Sequence, residues 1–151
     1  ARLSKAGMKR LDDESLLAMG AVQRKLLMQA DLTGCAALTR GNPGSGLFQM
    51  LENLGAEDVD RFFDLTYQAM LAEAKQTPPA RGADYVRIRQ NLNTILDDLP
   101  QEDSVRLKND LSNGTGSSDE EACWMGRTLQ GGLDKLSPGD QIQWLLANAE
   151  Q

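Results

Sequence analysis

The chain carries two cysteines, Cys35 and Cys123, and no histidine. A catalytic thiolate usually needs a basic partner to strip its proton, most often histidine. A helix N-terminus lowers a thiol pKa unaided, which keeps a thiol role open. Two thiolates without histidine cannot complete a structural zinc site. What two distant cysteines can do is bond to each other. That link would close a loop of nearly ninety residues and is worth roughly 4–5 kcal/mol in the chain-entropy account. The alternative is two buried thiols, since free cysteine packs well in cores. The bonded reading sets the protein in the periplasm or among secreted proteins, and the thiol reading in the cytoplasm.

Carboxylates are the other groups able to do chemistry here. They cluster at Asp12-Asp13-Glu14, Asp97-Asp98, Glu102-Asp103 and Asp119-Glu120-Glu121. Glycoside hydrolysis needs only two of them, suitably spaced. Three of the four clusters fall where helices are expected to start, and there capping and the helix dipole account for them. Asp97-Asp98 stands near an expected helix end and is left unexplained. No cluster has the EF-hand spacing. The segment from Gly41 to Gly46 has the glycine density of a phosphate loop but lacks the Lys-Ser/Thr that completes one. No metal site and no cofactor is expected.

Recognition is the stronger theme. Arg81, Arg87 and Arg89 surround Tyr85 in a chain of net charge -6. That basic patch could receive a carboxylate or phosphate, or it could be a solvated helix face. Trp124 and Trp144 each fall opposite the apolar stripe of their helix on an ideal wheel. Either both helices are covered on two sides, or the tryptophans line an interface, where that residue type is enriched. Asn113-Gly114-Thr115 fits a glycosylation sequon, which matters only in a eukaryotic secretory setting.

The elements that must position these residues read as helices. Aromatic residues make up 5% of the chain, and no long alternating Val/Ile/Thr run signals a strand. A helix over 13–30, capped by Asp12 or Asp13, sets Leu16, Met19, Val22, Leu26 and Ala30 on one side. A short helix over 33–40 ends at Gly41, and another over 45–54 ends at Gly55. The segment 57–76 carries an expected inner stripe of Val59, Phe62, Phe63, Thr66, Met70 and Ala74, and Pro78-Pro79 stops it. Over 83–99, Tyr85, Ile88, Leu92, Ile95 and Leu99 repeat like a coiled-coil seam, which predicts the centre of a bundle. A helix over 100–112 follows, with Val105, Leu107 and Leu111 as its apolar residues.

Ser118 and Glu121 form a capping box for the next helix, whose stripe is Ala122, Met125, Leu129, Leu133 and Leu136. Gly126, Gly131 and Gly132 weaken that helix by about 1 kcal/mol each against alanine. Close packing, or a break near Gly131-Gly132, would explain them. Ser137-Pro138 restarts the chain into a last helix bearing Ile142, Leu145, Leu146 and Ala149.

The 151 residues therefore read as a single helical domain. It is an all-α, compact multi-helix bundle of roughly seven or eight helices, several of them short, with one possible disulfide staple. No apolar run is long enough to span a bilayer. The acidic balance argues against nucleic acid and anionic membranes as partners. The chain opens on Ala1 without the apolar core of a signal peptide, so a mature form or an excised domain is expected. The functional expectation is a non-enzymatic protein-interaction domain acting outside the cytoplasm. Its candidate partner surface is Trp124, Trp144, Tyr85, Arg87 and Arg89. The alternatives are a small carboxylate-dependent, glycan-directed hydrolase, and a helical sensor or carrier holding a small ligand near Tyr85, Arg89 and Trp124. Oligomeric state is not legible.

Overall fold

The computed structural model describes residues 2–114 and 118–150. These form nine helices and no strand: α1 Arg2–Met8, α2 Asp13–Gln29, α3 Leu32–Thr39, α4 Gly46–Leu54, α5 Ala56–Lys75, α6 Tyr85–Asp98, α7 Gln101–Asn113, α8 Asp119–Leu133 and α9 Pro138–Glu150. The helix beyond the expected count is α1. Its seven residues are too short for a periodic stripe to register, and isolated helices of that length are unstable. Long-range packing holds it instead. Gly7 lies so close to α5 that a Cβ there would stand 1.8 Å from the carbonyl oxygen of Ala69. Arg10, just beyond α1, then donates to Glu73, to the Pro78 carbonyl and to Gln76.

Local chemistry sets the helix ends. Asp12 accepts from the Ser15 amide, Asp31 from Gly34, Asp84 from Arg87 and Ser118 from Glu121, each a side-chain N-cap. After α3, Gly41 takes φ 74°. Its amide donates to the Leu38 carbonyl, and the Asn42 amide donates to that of Ala37, which is the Schellman arrangement. The sequon residue Thr115 lies outside the described residues.

The central helix is α2, not the 83–99 seam. Leu16, Met19, Val22 and Leu26 are each at most 2% exposed, and α2 touches α3, α4, α5, α8 and α9. Full burial of such side chains contributes about 1.5–3 kcal/mol apiece. In α6, Tyr85 is exposed, Ile88 and Leu92 are half-buried, as is Leu99 just beyond the helix, and Asn91, Ile95 and Leu96 are the buried positions. The helix packs on α7, α8 and α9 and shows its other side to water. A three-four repeat reports that one face is apolar and says nothing of how deeply it sinks.

Two more stripes are rotated from expectation. In α5 the buried residues are Leu65 and Ala69, with Val59, Phe62 and Thr66 half-buried, while Phe63, Met70 and Ala74 are exposed. In α7, Ser104 and Leu107 are buried, and Val105 and Leu111 are exposed.

A second close helix contact joins α3 to α8. A Cβ on Gly126 would meet Thr39 Oγ1 at 2.1 Å, and one on Gly132 would meet Ile95 at 2.5 Å. Close approach therefore explains both glycines, and α8 runs unbroken through Gly131 to Leu133. Arg127 of α8 donates to the Leu27 and Ala30 carbonyls. It supplies the cation that the last turn of α2 lacks.

Candidate functional site

Cys35 and Cys123 are bonded, with 2.01 Å between sulfurs and 5.2 Å between Cα atoms. Both are buried at the α3–α8 contact. The bond leaves neither sulfur as a nucleophile. It ties the first third of the chain to the last, with α2 alongside.

The arginine–tyrosine cluster is dispersed by internal partners. Arg81 donates to Asp13 and to the Leu11 carbonyl at 2.6 Å. Arg87 pairs with Asp140 of α9. The Tyr85 hydroxyl donates to Glu150, and that bond pushes the phenol pKa up and holds the Glu150 carboxyl down. These contacts pin the start of α6 against α9. Arg89 is exposed on α6, one helical turn beyond Tyr85.

The tryptophans take other partners. Both are half-buried, as helices covered on two sides require. Trp124 packs against the Leu96–Leu107–Met125 cluster under the Arg106 guanidinium, 3.8 Å from the ring centroid. Such a stack contributes about 0.5–2 kcal/mol. Trp144 lines a cavity of about 320 Å³ between α2, α8 and α9, walled also by Leu17, Gly20, Leu133 and Leu145. Its indole nitrogen is buried without an acceptor. A second cavity, of about 480 Å³, opens between α2, α3 and α4 over Leu26, Gly34 and Met50.

Among the carboxylates, Asp12 caps α2 and sits below the usual range because the Ser15 amide binds it. Asp119 pairs with Arg40. Glu121 takes three bonds from Arg106, and these hold its carboxyl low. Asp110 of α7 leans on Glu121, and burial together with that neighbouring charge pushes its carboxyl up. Two carboxyls with pKa values driven apart are what acid–base chemistry requires. In this pair, however, Glu121 is committed to Arg106, and Asp110 keeps a buried carboxyl oxygen without a partner. Among the described residues no three acidic or cysteine side chains gather as a metal site.

The feature that sequence reasoning missed is an apolar face on α4 and α5. Phe63, Tyr67 and Met70 stand 46%, 63% and 41% exposed, beside Phe48 at 58%. Phe48 stacks on Phe63 with centroids 6.3 Å apart, and Phe62 meets Phe63 edge-on at 5.6 Å. The signal was present. Positions 63, 67, 70 and 74 follow a four-three-four spacing and form one apolar stripe. Positions 59, 62, 66 and 69 form a second stripe beside it. Each covers one side of the helix, and merging them hid the outward one. Around the outward stripe stand Glu52, Glu57, Asp60 and Asp64.

Comparison with known proteins identifies no relative: no family model, no curated protein and no solved structure matches this chain.

Proposed function

We propose that the chain is a non-enzymatic, helical protein-interaction domain that acts outside the cytoplasm, in the periplasm or as a secreted protein. One observation carries the interaction: four large apolar side chains, Phe48, Phe63, Tyr67 and Met70, are exposed side by side on α4 and α5. Contiguous apolar surface rimmed by polar groups marks association sites, and single scattered residues do not. The earlier candidates contribute less. Tyr85, Arg87 and Trp124 already spend their polar or aromatic groups on Glu150, Asp140 and Arg106.

The Cys35–Cys123 bond supports the compartment, since such links persist in oxidising surroundings. Intact mass after alkylation in denaturant, with and without prior reduction, tests it on protein from the native source. Two alkylated thiols without reduction would remove the extracytoplasmic reading. The interaction is tested by photo-crosslinking from Phe48, Tyr67 and Met70 in the native source, against Val105 as an exposed control on α7. Crosslinks confined to the first three support the reading, and none from any of them overturns it.

A second reading has its own observation. The cavity beside Trp144 is walled by Leu17, Leu133 and Leu145, with Gln130, Gln141 and Asn148 as polar groups at its wall. A small ligand with an apolar body and one hydrogen-bond acceptor would fit a carrier of that kind. A thermal shift with such a ligand, lost in Trp144→Phe, would support it. No shift across a metabolite and lipid panel removes it.

A further inference from the structure

We propose that the α4–α5 face receives a cationic amphipathic helix of a partner protein; this rests on reading the chain as an interaction domain. The face has the dimensions of a helix-docking ridge. From Phe63 to Ala74 it follows the helix axis for about 16 Å, three turns at the usual rise. Phe48 broadens its start by stacking on Phe63. An apolar stripe of that length accepts anchors spaced i, i+3/i+4 and i+7 from an opposing helix.

The charges around the ridge select the occupant. Asp64 and Glu57 lie along one side of it on α5, Asp60 stands at its start one turn before Phe63, and Glu52 stands one turn after Phe48 on α4. The cations of α5 are Arg61, which approaches Glu57 at 3.9 Å, and Lys75 at the far end of the helix. Lys25 is drawn away to Asp58, and Arg10 to Glu73. Glu52 and Asp60 make no ion pair among the described residues. Apolar anchors flanked by lysine or arginine would therefore meet carboxylates on docking, which guides encounter and fixes register. A second copy of this chain would set the same carboxylates against one another, and like charges across an interface are repelled. An anionic lipid surface is repelled in the same way.

The test uses the intact protein and two model helices of about 18 residues, long enough to hold a helical face. Both carry leucine on one face. One has lysine and the other glutamate at the flanking positions. Amide shifts of the protein are followed by NMR during titration. The lysine helix is expected to shift residues of α4 and α5 around Phe48, Phe63, Tyr67 and Met70. The double variant Asp60→Asn/Asp64→Asn should weaken it by about tenfold, an effect that fades with salt. The control Asp97→Asn/Asp98→Asn should leave it unchanged. Equal binding of the glutamate helix, shifts spread over the other acidic surfaces, or equal loss in the control variant would overturn the proposal. Photo-crosslinking separates this from the broader reading. A crosslink from Tyr67 to a segment without net positive charge, or to a second copy of this chain, overturns the cationic helix and leaves the interaction domain standing. No crosslink at all removes both.

Discussion

The contact of α3 with α8 and the outer face of α4 and α5 are two apolar regions with opposite fates. Around α3 and α8 the side chains are small. Gly126, Cys35, Ala36, Ala122 and Cys123 let the backbones meet, and a disulfide closes the gap. On α4 and α5 they are large. Phe48, Phe63, Tyr67 and Met70 stand against one another and against water. Apolar periodicity alone does not separate the two cases. What does separate them is size on the contact line: helical glycines mark where a neighbouring helix seats closely, as Gly7 does against the Ala69 backbone and Gly132 against the Ile95 side chain. A stripe of large residues with no such partner is left for something outside the chain.

The largest effect should come from breaking the centre. The variant Cys35→Ala/Cys123→Ala opens a link between residues 88 apart, a loss of roughly 4–5 kcal/mol in the chain-entropy account. Denaturant unfolding of the variant against the oxidised protein measures it. A loss under about 1 kcal/mol would mean the α3–α8 contact holds the unfolded ensemble together without the bond.

Next in size is a matched truncation of the two regions. Met19→Ala, at a position 1% exposed, should cost about 2–5 kcal/mol. Tyr67→Ala should stay within about 0.5 kcal/mol and abolish crosslinking or binding at the outer face. The pair sharpens the contrast if stability and binding separate. It breaks the contrast if Tyr67→Ala destabilises as Met19→Ala does, because the outer face would then be part of the core.

Much of the centre was legible because its signals are local or strictly periodic. Asp12, Ser118, Gly41 and Gly55 act within one turn of their helices. Leu16, Met19, Val22 and Leu26 show a single unbroken stripe. The two cysteines could satisfy one another. What stayed hidden depends on contacts far apart in sequence. Helix α1 exists through Gly7 on Ala69, and Arg81 is consumed by Leu11 and Asp13. Which of the two stripes of α5 turns inward is decided by where α1, α2 and α4 lie. Depth is equally non-local: the seam over 83–99 has better periodicity than α2 and a shallower seat. The carboxyl contact of Asp110 with Glu121 joins two helices and leaves no mark in either stretch of sequence.

A smaller effect separates neighbouring glycines of α8. Gly126→Ala would drive a methyl into Thr39, whose Cβ stands 3.1 Å from the added atom, and should cost about 1–3 kcal/mol. Gly131→Ala meets nothing within 4 Å and should stabilise by about 0.5–1 kcal/mol, by helix propensity and by restricting the unfolded chain. Thermal or urea unfolding of the two variants checks both signs. If both destabilise, close packing is not what places glycine in this helix.

The smallest effect concerns the polar contact between α7 and α8. Asp110 has a carboxyl pKa raised by burial and by Glu121, with Arg106 opposing. The folded state therefore binds its proton more tightly than the unfolded chain does. The stabilisation this gives is complete below the ordinary carboxyl pKa and is lost as pH rises through the raised folded value. Glu121 runs the other way. Held low by Arg106, it contributes above its ordinary pKa and loses that contribution as pH falls through its lowered value. Asp110→Asn sets a neutral donor beside Glu121 at every pH and removes the charge that burial opposes. The variant should be the more stable protein near neutrality, and its advantage should shrink as acid protonates Asp110 in the parent. Unfolding free energies of both proteins across the acid range give the difference directly. A difference that does not change with pH would show that Asp110 titrates alike folded and unfolded, and that its contact with Glu121 is not maintained in solution.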